Sequence, residues 1–300
     1  MFRSFFISLI FLRAFTLQGC EDSLLNNQYV VIGSGGFLGS ELAKGFSKIG
    51  HSVGLSRSPS PWTQRVGLIE NYSLEDWNSK ITKHKEPVVI FAAGRPSVAE
   101  ATRDPEGDYT ALITPLKRVL EFMNEGTLVF ISSAAVLEPT TNYARHRIMA
   151  EELIKEHAKQ HSRFKYHILR PTNVFGEHQR KQIIYDLSLR LLHDHLEQKE
   201  TLLWGTGEEF RDFIHVDYIV DFCVKLVLQK IPSNTWNLSS GKPIKMLELI
   251  NSIQSFFSLP KNYRFNENPQ SSESLKKYRE SEEILSPAAY TFESRIKNVL

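Results

Sequence analysis

Residues 28–39 read QYVVIGSGGFLG, and this stretch decides the fold. Gln28 to Gly33 is a short apolar run ending in glycine, the pattern of a strand buried in a parallel sheet. A helix follows at once. Across Phe37 to Gly50 the apolar residues Leu38, Leu42, Phe46 and Ile49 recur at spacings of four, four and three, which makes one buried face, and Gly50 stops it. Working outward, Ser52 to Ser56 is a second strand. Pro87 to Ala93 and Thr127 to Ser132 are further buried strands, separated by a helix carrying Leu116, Val119, Leu120 and Met123, and Tyr166 to Arg170 is another. Strands alternating with amphipathic helices predict an α/β fold, a doubly wound parallel sheet with right-handed crossovers.

After Gly176 the pattern loosens into a helix around Ile183 to His193, a strand near Thr201 to Trp204, and a polar stretch from Asn262 to Glu283. The predicted organisation is an extension at 1–27 outside the fold, a nucleotide-binding domain at 28–175 with 214–240 packing back on it, and a smaller, discontinuous C-terminal substrate domain at 176–213 and 241–300.

Composition narrows the class. The 300 residues are 41% hydrophobic and 23% charged, which excludes a disordered chain. Lys+Arg number 36 against 34 Asp+Glu, so the net charge of +2 offers no surplus for nucleic acid. Cys20 and Cys223 lie too far apart in sequence for a metal-binding pair and cannot build a disulfide framework; a reducing compartment and no metal site are expected. The N-terminal run Phe5 to Leu12, interrupted by Arg13, is about half the roughly 18 residues a spanning helix needs, so no stable membrane insertion is expected. An export signal or anchor ending near Gly19-Cys20 is the alternative to a dispensable extension.

The glycines sit between a strand and a helix, which is what gives their spacing meaning. Gly33 allows the tight turn, Gly36 lets a pyrophosphate approach the backbone, and Gly39 lets the helix pack on the strand; the helix N-terminus adds amide donors and positive potential. Gly33, Gly35, Gly36, Phe37, Leu38 and Gly39 are therefore candidates to hold a dinucleotide. At the end of the second strand, 24 residues past Gly33, stands Arg57, where an acidic residue would hold a ribose 2′-hydroxyl. Arginine pairs with a 2′-phosphate, so NADP is favoured over NAD.

Gly33-x-x-Gly36-x-x-Gly39, then Ser132-Ser133 at a strand end, Tyr143 opening a helix, the run Leu169 to Gly176 (LRPTNVFG) and the run Arg211 to Asp217 (RDFIHVD) occur in that order. Together they resemble the extended short-chain dehydrogenase/reductase family, the nucleotide-sugar epimerases, dehydratases and reductases. The match runs from about residue 28 to Asn237–Gly241. The resemblance implies a Rossmann-type domain holding a nicotinamide cofactor, a C-terminal domain covering a nucleotide-diphosphate sugar, a cytoplasmic location, a role in surface polysaccharide synthesis, and a homodimer as one possible assembly.

Redox chemistry at a sugar alcohol needs a group that exchanges the hydroxyl proton. An unperturbed tyrosine, with a pKa of about 10, needs a neighbouring cation to favour phenolate. By similarity Tyr143 is the acid/base and Ser133 its helper. The family's cation is a lysine four residues after the tyrosine, which also bonds the nicotinamide ribose; here that position is Arg147. Arginine keeps the charge in a bulkier planar fork. Two readings stay open: an enzyme, or a non-catalytic family member that binds a dinucleotide. Ser133 and Tyr143 are only ten residues apart, closer than is usual in the family, which implies a more open cleft. Ser133-Ala134-Ala135 also lacks the Asp-Glu pair that serves dehydration, leaving epimerisation and ketone reduction.

The resemblance also places Ala92, Ala93 and Gly94, at the end of the fourth strand, beside the cofactor, with Pro171 on the same side and Asn71 near the adenine. Asn173 and Arg211 fall on positions that contact the substrate; a planar donor fork suits diphosphate oxygens, and a salt bridge from Arg211 to Asp212 is the competing structural reading. His215 is expected to brace a helix start, and Cys223 to pack in a core.

Overall fold

The computed structural model describes residues 28–57, 69–72, 81 and 86–266. The 1–27 extension with Cys20, and the end of the 241–300 range, lie outside the described residues. In chain order the first half comprises β1 (Gln28–Ile32), α1 (Phe37–Ser47), β2 (His51–Leu55), β3 (Ile69–Tyr72), β4 (Val88–Phe91), α2 (Val98–Arg103), α3 (Pro105–Phe122), β5 (Gly126–Ile131), a 3₁₀ turn (Ala134–Leu137), α4 (Asn142–Gln160) and β6 (Phe164–Pro171). The second half adds β7 (Asn173–Phe175), α5 (Ile183–Leu196), β8 (Thr201–Trp204), β9 (Phe210–Arg211), β10 (Phe213–His215), α6 (Val216–Leu228), β11 (Asn234–Leu238), β12 (Ile244–Lys245), α7 (Met246–Phe257) and β13 (Tyr263–Asn266).

Seven strands form one parallel sheet in the order β11-β6-β5-β4-β1-β2-β3. Its central strands are buried on both faces, so alternate residues feed two cores. Val30 and Ile32 of β1 join Leu112, Leu116 and Val119 of α3 and Ile154 of α4 on one side. Tyr29 and Val31 join Leu42 and Phe46 of α1 and Ile219, Cys223 and Leu226 of α6 on the other. The Tyr29 and Phe46 rings stand 4.9 Å apart. Burial pushes the Cys223 thiol up, so it packs as an apolar group.

A third cluster, Phe175, Ile184, Leu187, Leu191, Leu203, Phe213, Leu249 and Ile253, is built from α5, α7 and three two-stranded ladders, β7 with β10, β9 with β12 and β8 with β13. Two local expectations change. α1 ends at Ser47 instead of reaching Gly50, because Lys48 and Ile49 donate back to Gly45 and Phe46 in a tightened last turn. Within the stretch read as polar, Tyr263–Asn266 is a strand on β8; it alternates half-buried with exposed residues, so it carries no apolar run.

Candidate active site

The chain leaves β1 for β2 and β3 on one side and returns through β4, β5, β6 and β11 on the other, so the strand order reverses between β1 and β4. Ligands of such sheets lie beyond the strand ends at that reversal. Gly33 stands there with φ +88°, and a Cβ on it would come within 2.7 Å of the Ala93 nitrogen and 2.8 Å of the Ala92 carbonyl. A Cβ on Gly39 would overlap the Gly33 carbonyl oxygen, so α1 rests directly on the β1 turn. Gly35 and Gly36 are exposed at the helix mouth, and Gly36, the N-cap, gives no side-chain hydrogen bond to the first turn. The first-turn amides around Phe37 and Leu38 are thus left to whatever approaches the helix end.

Arg57 is exposed just beyond β2. Asn71 lies in β3, in register with Gly54. On the other side of the reversal, Gly94 follows β4 with φ +128°, and a Cβ there would sit 3.6 Å from both terminal nitrogens of Arg147.

Thr141 caps α4 by accepting from the Ala144 amide, which puts Tyr143 in the first turn and Arg147 one turn later on the same face. Both are buried. The Arg147 guanidinium carbon is 4.2 Å from the centre of the Tyr143 ring, and its Nη2 donates to the Arg95 carbonyl at 3.1 Å. Its Nε and Nη1 have no partner although Arg147 is only 6% exposed. The backbone it leans on is held in turn: Arg95 Nη2 pairs with Asp104 Oδ2 at 2.7 Å, while Asp104 Oδ1 accepts from the Gly107 amide at 2.9 Å as the N-cap of α3. Those two bonds hold the Asp104 carboxyl below the usual carboxylate range, the Gly107 amide contributing most.

Ser133 ends the β5 segment and opens the 3₁₀ turn, its Oγ accepting from the Ala135 amide at 3.2 Å. That turn fills the short interval before Tyr143. Pro171 closes β6, in register with Leu238 of β11.

At the start of β7, Asn173 is exposed and its Nδ2 donates to the Asp212 carbonyl at 2.9 Å. The Asp212 carboxylate takes the Thr172 hydroxyl at 2.7 Å and the Ser240 amide and hydroxyl at 2.8 Å each. Arg211 is half-buried beside it and donates to the Phe210 carbonyl. Asp212 therefore knots three loops together instead of pairing with Arg211. His215 is the N-cap of α6, its Nδ1 accepting from the Asp217 amide at 3.2 Å.

The fold thus brings Gly33 against Ala92 and Ala93, Gly94 and Tyr143 against Arg147, and Asn173 against Asp212. Sequence reading passed over Glu151, which is 2% exposed and bonded to Ser132 and Arg170. A carboxylate four residues past Arg147, on the face that also buries Ala150 and Ile154, was the available signal. Among the described residues no cluster of three or more metal-ligating side chains occurs, and no helix is long and apolar enough to cross a membrane.

The model of the NAD dependent epimerase/dehydratase family matches residues 29–239. The chain is 24% identical to an uncharacterized UDP-glucose epimerase, YtcB, of Bacillus subtilis, over 75% of this chain and 80% of that one. Over 122 residues, 38% of each chain, it is 30% identical to GDP-L-fucose synthase 1 of Arabidopsis thaliana. Among solved structures, the UDP-glucose 4-epimerase of Thermotoga maritima with UDP-glucose superposes with a TM-score of 0.73 at 18% identity, covering 91% of this chain and 97% of that one. UDP-glucuronic acid 4-epimerase from Bacillus cereus, in complex with UDP-glucuronic acid and NAD, gives 0.72 at 20% identity over 82% and 88%. These likenesses match the doubly wound fold.

Proposed function

The chain belongs to the NAD-dependent epimerase/dehydratase family, and from that premise we propose that it binds a nicotinamide dinucleotide at the Gly33–Gly39 turn and epimerises or reduces a nucleotide-diphosphate sugar. The observation that carries this reading is Arg147: a buried guanidinium, laid on the ring of Tyr143 beside Gly94, with two donor nitrogens left over. A buried cation with unmet donors is costly, and it persists where a ligand uses it. The names of the relatives, UDP-sugar epimerases and a GDP-fucose synthase, support the substrate class.

The residues fit such a dinucleotide. Gly35, Phe37 and Leu38 offer backbone amides to a pyrophosphate, the Gly33 and Gly36 amides close the turn onto the Leu55 and Gly33 carbonyls, Gly39 seats the helix on that turn, Ala92, Ala93, Gly94 and Pro171 line the nicotinamide side, and Asn71 lies toward the adenine. When bound, the nicotinamide supplies reversible two-electron oxidation of the sugar carbinol. Tyr143 exchanges the hydroxyl proton, Ser133 shares the hydrogen bond to the same oxygen, and Arg147 supplies fixed positive charge beside the phenol and donors toward the ribose. Asn173 and Arg211 hold the diphosphate, with Asp212 fixing their loops. Arg57 selects NADP through its 2′-phosphate. Residues 28–175 with 214–240 form the cofactor unit, and 176–213 with 241–300 the substrate unit. The setting is cytoplasmic surface-polysaccharide synthesis, with a homodimer as the assembly.

A second reading keeps the dinucleotide and drops turnover; Arg147 in place of lysine is what favours it. Incubation with NADPH and a panel of nucleotide-linked 4-keto sugars, followed by nicotinamide absorbance, and with NAD and nucleotide hexoses, followed by separation of epimers, decides between them. Turnover abolished by Tyr143→Phe is expected; dinucleotide binding without turnover on either panel selects the second reading.

A further inference from the structure

Glu151 lies two turns beyond Tyr143 and one beyond Arg147 on α4, and it is buried where its neighbours are apolar. Its Oε1 accepts from Ser132 Oγ at 2.6 Å and from Arg170 Nε at 3.0 Å; its Oε2 accepts from Arg170 Nη2, and Lys155 Nζ stands 3.8 Å away. Ser132 immediately precedes Ser133. Arg170 immediately precedes Pro171. The Ser132 amide in turn donates to the Leu169 carbonyl at 2.7 Å, so the ends of β5 and β6 are locked to each other as well as to the helix. One carboxylate thus joins the three elements that carry Ser133, Tyr143 with Arg147, and Pro171.

We propose that Glu151 is a positioning residue, which sets the distance between the Ser133 hydroxyl and the Tyr143 phenol by pinning α4 to the ends of β5 and β6. The proposal rests on the reading of Ser133 and Tyr143 given above. Its physical basis is that the bond network is buried and ionic. A surface pair would yield to solvent, whereas a carboxylate with both oxygens engaged by a guanidinium and a hydroxyl keeps one geometry. Other elements hold this helix through apolar contacts and through His146 on Asp108 at 2.7 Å, His157 on the Met123 carbonyl at 2.8 Å and Arg147 on the Arg95 carbonyl, all on the α3 side; Glu151 is the group that ties it to the ends of β5 and β6.

Glu151→Ala would strand the Arg170 cation, so the informative variants are Glu151→Asp, which keeps the charge and withdraws it by one methylene, and Ser132→Ala, which removes a single bond. With the 4-keto-sugar and hexose panels as substrates, each is expected to lower kcat about tenfold or more, with KM and the dinucleotide dissociation constant within about twofold of wild type. Independently of turnover, hydrogen exchange at residues 132–137 is expected to accelerate while exchange at the glycine turn stays as it was. Unchanged kcat per folded molecule, or loss of dinucleotide binding in parallel with kcat, overturns the positioning role alone. A wild-type protein that binds dinucleotide yet turns over neither panel overturns the enzymatic reading and this role with it.

Discussion

The guanidinium of Arg147 covers the ring of Tyr143 at 4.2 Å and is anchored by the hydrogen bond its Nη2 donates to the carbonyl of Arg95. A lysine ammonium is a point charge on a flexible stem; a guanidinium is flat, stacks on an aromatic face and still presents donors along its edge. Gly94 stands beside it, where a Cβ would lie in ordinary contact, 3.6 Å from both terminal nitrogens; its φ of +128° is what favours glycine there.

Arg147→Met tests whether that arrangement serves a ligand. It removes a buried charge with two unmet donors while keeping most of the volume, so the ligand-free protein is expected to melt no lower than wild type, and to gain up to about 1 kcal/mol. Dinucleotide affinity is expected to fall about tenfold, the equivalent of one charged hydrogen bond. Thermal melts with and without NADPH read both, and a large loss of stability without cofactor would show that Arg147 is chiefly structural.

Gly39 and Gly36 should separate structure from binding. Gly39→Ala drives a methyl into the Gly33 carbonyl and is expected to cost about 3 kcal/mol, seen in urea unfolding. Gly36 has φ −87° and its Cβ would meet only the Gly33 carbonyl at 3.4 Å, so Gly36→Ala is expected to fold normally and to bind dinucleotide several-fold more weakly. Equal binding by wild type and Gly36→Ala would place the pyrophosphate elsewhere.

Arg57→Ala is expected to raise the dissociation constant for NADPH by about fivefold, the modest effect of an exposed ion pair, and to leave that for NADH unchanged. Fluorescence titration with the two reduced cofactors checks this. A parallel change in both removes the assignment of Arg57 to the 2′-phosphate.

His167, on β6, predicts a pH dependence that has nothing to do with catalysis. Burial, the largest cause, pushes its imidazole down to about 4, and its Nδ1 accepts from the Trp236 indole at 3.4 Å. The folded state then binds a proton less readily than the unfolded chain, so stability is complete above about pH 6.5 and declines as pH falls toward 4, by at most about 1.4 kcal/mol per unit. Urea unfolding at pH 7 and pH 5 should show a smaller loss for His167→Gln than for wild type.

Much of the fold was legible because local rules and global architecture agree. The run QYVVIG, the four-four-three spacing after it and the repeated apolar strands all point to a parallel sheet, and the structure has seven parallel strands in one sheet. Tyr263–Asn266 was not legible, since a strand half-exposed on both edges of its pattern owes its pairing to β8 and not to its own residues. A salt bridge from Arg211 to Asp212, the competing structural reading of that pair, does not form: across 28 residues, Ser240 offers an amide and a hydroxyl that leave the carboxylate no need of a guanidinium.

By itself, the chain determined where the glycine turn between the first strand and helix must lie and that Tyr143 and Arg147 share a helix face, because both depend on contacts within a few residues: a glycine that must turn, a helix that repeats every 3.6 positions. Only the tertiary structure decided what each charged group does. Glu151 and Asp212 are each engaged by partners that come from other elements, and in a low-dielectric interior the identity of that partner, which no spacing along the chain reveals, is what turns a carboxylate into a brace.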